Sequence, residues 1–196
     1  MENDQKAGRE SLDRVLAFSD GVFAIAITIL VLNLDVPPGM SPEELGTHLR
    51  GLIPSLASAV LSFAVIGRFW IAHRELLAPV RRVGNPGLWL NLLVLGPIVL
   101  IPAASQLMAE YGGETVAVVL YALTIAAAGL AELACWSYFS RGLPRERVLR
   151  TSADIAIVPA FFLLSVPVAF ASPLLAPFCW LGAAIPAGAL SSRLRT

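Results

Sequence analysis

The chain has 196 residues, 57% of them hydrophobic and 14% charged, where a soluble domain carries roughly 45–50% and 25%; lipid is the expected solvent. Its 14 basic and 14 acidic side chains cancel to zero net charge and crowd into a few short segments, which excludes both a basic nucleic-acid surface and an acidic tail. Cys135 and Cys179 sit in apolar runs with no CxxC spacing and no His or carboxylate cluster nearby, so they are expected to pack, not to form a disulfide or a metal site.

The first seventeen residues are polar and mixed in charge, unlike the basic start and small-residue cleavage site of a signal peptide, so the first helix is expected to be retained. A spanning helix needs about 20 mostly apolar residues, and runs of that size fall at 16–36, 52–72, 88–108, 115–137, 155–172 and 174–190. The last two are short and almost continuous. They contain Pro159, Pro167, Pro173, Pro177 and Pro186, which predicts kinked helices whose freed carbonyls find partners inside the bundle.

Basic residues settle the expected orientation, because they accumulate on the cytoplasmic side. Lys6, Arg9 and Arg14 precede the first run; Arg68, Arg74, Arg81 and Arg82 surround the second-to-third connection; Arg141, Arg145, Arg147 and Arg150 fill the fourth-to-fifth; Arg193 and Arg195 end the chain. The alternate connections hold Asp35, Glu43, Glu44, Glu110 and Glu114, with Arg50 as their one basic residue. The pattern predicts an all-α integral membrane protein, a single six-helix domain over 1–196, with both termini in the cytoplasm. No motif recurs in the later runs, and an unrepeated unit that conducts ions places its axis between subunits.

In the first run, Gly21, Ile25, Thr28, Ile29 and Leu32 fall within a helical stripe about 100° wide, while Ala24, Ile27 and Val31 point elsewhere. From the pattern alone this helix could equally be packed on all sides. Arg14 and Asp20 are six residues apart, about 120° around a helix, so they would need a bend or a bridging group such as His73 to pair. Taken singly, Asp20 and Ser19 also suit a helix N-terminus. Glu132, two-thirds along an apolar run, is costly unless paired or protonated and is a functional candidate; Asn91 and Gln106 are expected to bond across helices. Trp70, Trp89 and Trp180 are expected to anchor or pack.

The stretch from Arg14 through Phe18-Ser19-Asp20-Gly21 into the apolar run ending at Leu32, with Phe69-Trp70-Ile71-Ala72-His73 as a second marker, resembles the signature of the transmembrane protein 175 family. That family comprises lysosomal potassium channels of animals and shorter prokaryotic homologues. The resemblance implies that the first helix lines a central pore in a homo-oligomer, a tetramer, with Ile25 at its narrowest point. It further implies that Ile29 and Leu32 form apolar rings, that Thr28 forms a layer involved in potassium preference, and that Arg14, Ser19, Asp20 and His73 belong to a polar network holding the pore helix. No TVGYG-type filter is present, so selectivity would come from a constriction that strips water from the ion and favours the weakly hydrated cation, potassium.

The expected partners are therefore the lipid bilayer of the plasma membrane, further copies of the chain and monovalent cations, with transient potassium in the pore and no cofactor or resident metal. Three rivals remain. An intramembrane enzyme using Asp20, His73 and Glu132 has no HExxH or GxSxG motif behind it. A proton-coupled carrier would use Glu132, and an accessory membrane subunit would keep the same first-helix pattern without conducting.

Overall fold

The structure, a computed structural model, describes residues 2–32 and 34–184. Within it the chain is helical: α1 (Glu2–Leu32), α2 (Pro42–Gly51), α3 (Ile53–Leu77), α4 (Asn85–Tyr111), α5 (Thr115–Phe139) and α6 (Arg145–Ala171), followed by a 3₁₀ helix over Ala176–Ala184. Five stretches, Gly8–Leu32 of α1 and the whole of α3, α4, α5 and α6, are long and apolar enough to cross a membrane. They coincide with the first five apolar runs and extend beyond each at one end or both, although α1 stops at Leu32, short of the end of its run at 36. The helix from the fifth run starts at Arg145 and so absorbs three arginines that the sequence pattern assigns to a linker.

The sixth run differs from expectation as far as it is described. Up to Ala184 it is a nine-residue 3₁₀ helix, a tighter coil that seldom persists. Pro173 and Pro177 bear on this, since each lacks the N–H that an α-helical ladder requires. Residues 185–190, Pro186, Arg193 and Arg195 lie outside the described residues.

One short helix, α2, was not foreshadowed by any apolar run. Its start is written in Ser41-Pro42-Glu43-Glu44: the Ser41 amide donates to Glu44 Oε2 at 2.8 Å and the Glu44 amide to Ser41 Oγ at 3.3 Å, a reciprocal capping box with proline in the first turn. Hydrogen bonding from the Ser41 backbone holds the Glu44 carboxyl below its ordinary range. His48 Nε2 lies 2.9 Å from the Asp35 carbonyl oxygen and ties α2 back to the end of α1.

Packing centres on α5. Of its most apolar stretch 56% is buried inside the subunit, against 28% for α1, and it packs chiefly on α4 and α6. The close approach to α6 uses glycine: a Cβ on Gly129 would lie 2.6 Å from Pro159 Cδ, so the proline ring of α6 occupies the notch that glycine leaves. Cross-helix hydroxyls supply further contacts of the kind that hold helices together in lipid. Ser58 donates to the Ser105 carbonyl at 2.8 Å, and Ser62 Oγ lies 3.0 Å from Tyr121 Oη. Trp180 of the 3₁₀ helix donates to Ser165 Oγ at 2.8 Å and stacks on Phe162 at 5.1 Å between centroids, as packing rather than boundary anchoring. Gln106 bonds along its own helix to Glu110 at 3.1 Å instead of across helices.

One end of the bundle gathers the arginine-rich connections. Ser11 near the start of α1 donates to the Val83 carbonyl at 3.3 Å, Gly87 at the start of α4 meets the Phe139 ring, and Trp136 of α5 donates to the Val148 carbonyl at 3.3 Å. The return from α5 to α6 is tight, closed by Leu143 N–H to the Ser140 carbonyl at 3.0 Å. Gly142 sits there at φ +90°, a backbone state that side chains beyond glycine resist.

Candidate functional site

The helix α1 meets its own subunit along one stripe. Val15, Ser19, Phe23, Ala26 and Leu30 are buried, spaced by three and four as a helical face requires. They pack α1 onto α3 and α4. The opposite side is apolar and uncovered: Phe18, Ile25, Ile29, Val31 and Leu32 are exposed, Ile25 at 61% and Leu32 at 77%. All four residues marked for the constriction and its selectivity layer, Ile25, Thr28, Ile29 and Leu32, lie on this uncovered side. Ala24 and Val31 are exposed too, so the uncovered surface is wider than the stripe drawn from the sequence.

Thr28 Oγ1 donates to the Ile25 carbonyl at 2.9 Å. With its only hydrogen committed to the helix, the oxygen keeps its acceptor capacity for whatever lies alongside.

The two sequence markers face each other. Trp70 and His73 are three apart on α3 and therefore share a face; Trp70 engages Asp20 of α1 directly, and His73 reaches Ser19 of α1 through Asn91 of α4. Trp70 Nε1 donates to Asp20 Oδ1 at 2.7 Å, while the Arg74 guanidinium stands over the same indole at 5.2 Å, a favourable cation–π geometry. His73 Nε2 lies 3.0 Å from Asn91 Oδ1, and Ser19 Oγ lies 3.1 Å from that oxygen and 2.9 Å from the Val15 carbonyl. Since an amide oxygen only accepts, His73 presents its hydrogen on Nε2; its Nδ1 is buried with no partner among the described residues. The Phe23 ring packs on the imidazole at 5.7 Å between centroids.

The expected network of Arg14, Ser19, Asp20 and His73 is thus two separate pairs of contacts. Ser19 and Asp20 stand in the middle of α1, not at its start, so neither caps the helix. His73 does not bridge Arg14 to Asp20: it reaches Asn91, which joins it to Ser19, and Trp70 is the partner of Asp20. Arg14 is exposed and makes no hydrogen bond or ion pair among the described residues; it shares with Asn91 the wall of a cleft of about 600 Å³. The sequence alone assigns Trp70 an anchoring or packing role. What could have identified its role is its spacing from His73 inside the second marker.

Glu132 lies apart from this cluster. It is 2% exposed on α5, and its Oε1 has no hydrogen-bond partner among the described residues. Arg141, two turns on, instead covers the Tyr138 ring at 5.1 Å.

Comparison with known proteins bears on the whole arrangement. The family described as endosomal/lysosomal potassium channel TMEM175 matches residues 14–102, a range that includes both markers and Asn91. A potassium channel of Streptomyces collinus is 42% identical over 132 residues, covering 65% of this chain and 64% of that protein. The endosomal/lysosomal proton channel TMEM175 of Gallus gallus is 33% identical over 113 residues, covering 54% of this chain and 23% of that protein. The chain therefore spans less than two thirds of the length of each. The crystal structure of a lysosomal potassium-selective channel TMEM175 homolog from Chamaesiphon minutus superposes with a TM-score of 0.78 at 30% identity, over 89% of this chain and 95% of that one. With that fold shared over nearly all of the solved chain, and with both markers inside the matched segment, this protein belongs to the TMEM175 family, a family of ion channels and not of enzymes.

Proposed function

We propose that this protein forms a potassium-selective cation channel in the plasma membrane by assembling as a homotetramer around α1. Each subunit contributes six spans, and both termini are cytoplasmic. The observation that carries this is the division of α1 into a face packed on its own subunit, with Ser19 among Val15, Phe23, Ala26 and Leu30, and an uncovered face carrying the large apolar side chains Phe18, Ile25, Ile29 and Leu32. Such a surface next to an unrepeated unit is covered by another subunit or by lipid. The names of the bacterial relatives favour the first.

In this assembly Ile25, Ile29 and Leu32 form successive apolar rings that exclude water, and an ion passes only by giving up part of its hydration shell. That step is easier for potassium than for sodium. Thr28, its hydrogen already given to Ile25, offers oxygen lone pairs to the dehydrated ion. The test is flux through purified protein in liposomes, comparing potassium, sodium, a large organic cation and protons. Potassium flux exceeding sodium flux, with no stoichiometric proton movement, is the expected result. Flux strictly coupled to protons would instead favour a carrier working through Glu132.

Asp20 acts on the position of α1 and not on the ion. Asp20→Asn keeps an oxygen for the Trp70 N–H but loses the charge that strengthens the bond, by roughly half. The expected outcome is a loss of about 1 kcal/mol or less of stability, read by thermal unfolding in detergent, with the potassium-to-sodium ratio unchanged. A variant that unfolds like the parent but selects differently would assign Asp20 to the permeation path.

A further inference from the structure

A second chemically distinct site lies inside the subunit. Between α3, α5 and α6 is a cavity of about 420 Å³ whose wall includes Glu75, Glu132, Asp154 and Arg68, with Phe69 and Val158 on its apolar sides. No residue of α1 lines it, so it is separate from the proposed pore. Three carboxylates outnumber one guanidinium. Arg68 donates through Nη2 to the Asp154 backbone carbonyl at 3.1 Å and makes no ion pair with a carboxylate among the described residues.

The deepest of these acids is the least explained. Glu132 is 2% exposed, yet its Oε1 is left without a partner among the described residues, an unfavourable state for a carboxyl oxygen held away from water. A group so placed in an apolar span marks a site by default. The acids are too dispersed for a metal ion: among the described residues no three His, Cys, Asp or Glu side chains are placed to hold one. A buried acceptor, net negative walls and flanking apolar surface instead suit a cation whose charge sits on N–H donors at one end of an apolar body.

We propose that this cavity binds a small organic monocation, a primary ammonium bearing an apolar group, with its N–H donated to Glu132 Oε1 and its body against Phe69 and Val158. Benzylammonium is a suitable probe, with benzyl alcohol as the neutral counterpart of the same shape. In calorimetric titration of the purified full-length protein, benzylammonium is expected to bind saturably and at least tenfold more tightly than benzyl alcohol. Raising potassium should not displace it, as it would an ammonium ion held in the pore. Glu132→Gln should weaken binding at least tenfold. Ala72→Leu, which fills the cavity from its α3 wall and keeps the carboxylate, should do the same and serves if Glu132→Gln fails to fold. Absence of saturable binding, equal binding of the alcohol, displacement by potassium, or full affinity in either folded variant would overturn the assignment.

Discussion

Ile25→Asn is expected to raise potassium flux through reconstituted protein roughly three- to tenfold, while Ala24→Asn leaves it unchanged. In the proposed assembly an amide in the ring of Ile25 side chains hydrates the constriction and replaces lost ion–water contacts, and each ~1.4 kcal/mol removed from a barrier is a factor of ten in rate. Ile25 is 61% exposed on its subunit, so the substitution disturbs little of the subunit's own packing. Ala24 is also exposed, but it points about 100° away around the helix. The pair therefore separates pore-facing from merely uncovered positions. Equal increases at both would remove Ile25 as the gate, and a fall in flux at Ile25 with the oligomer intact would contradict hydration as the mechanism.

Asn91→Leu should destabilise the subunit by about 2–3 kcal/mol, the range expected when buried polar groups lose their partners. Its Oδ1 is the common acceptor for His73 and Ser19, all three residues being buried. Ser19 keeps the Val15 carbonyl, so most of the loss falls on His73, whose Nδ1 already has no partner among the described residues. The measurement is thermal or denaturant unfolding in detergent. Adding His73→Leu to Asn91→Leu should recover part of the loss, because removing both members of a buried polar pair costs less than orphaning one. An unchanged midpoint in the single variant would mean that α1 is held by its apolar stripe alone.

The long helices are legible from the sequence because lipid leaves the backbone few alternatives: an apolar run of sufficient length forms a helix that satisfies its own hydrogen bonds. The same signal is blind to α2, whose start depends on Ser41, Pro42 and Glu44 and not on hydropathy. It is also blind to the 3₁₀ helix that follows Pro173 and contains Pro177, since mean hydropathy does not count missing N–H donors. At the site, the two markers in α1 and α3 are legible as segments, but their pairing is not. Which of Trp70, His73 and Asn91 meets Ser19 or Asp20 depends on the rotation of three helices about their axes, a quantity that helices apolar on nearly every side leave unspecified. Periodicity likewise narrows the uncovered side of α1 to a stripe, whereas packing leaves Ala24 and Val31 exposed beside it.

The contrast between α5, mostly enclosed, and α1, held along one side, has an evolutionary consequence. Substitutions that alter cellular abundance should concentrate on α5 and its neighbours, around Gly129 and Pro159. Substitutions that alter conductance should concentrate on the uncovered side of α1. In a saturation library sorted separately for expression and for potassium uptake, these two maps would overlap chiefly at Ser19, Asp20, Trp70, His73 and Asn91, where the scaffold grips the helix. With α1 lining the pore as proposed, a chain built this way can retune its permeation path by selection without first solving its fold again.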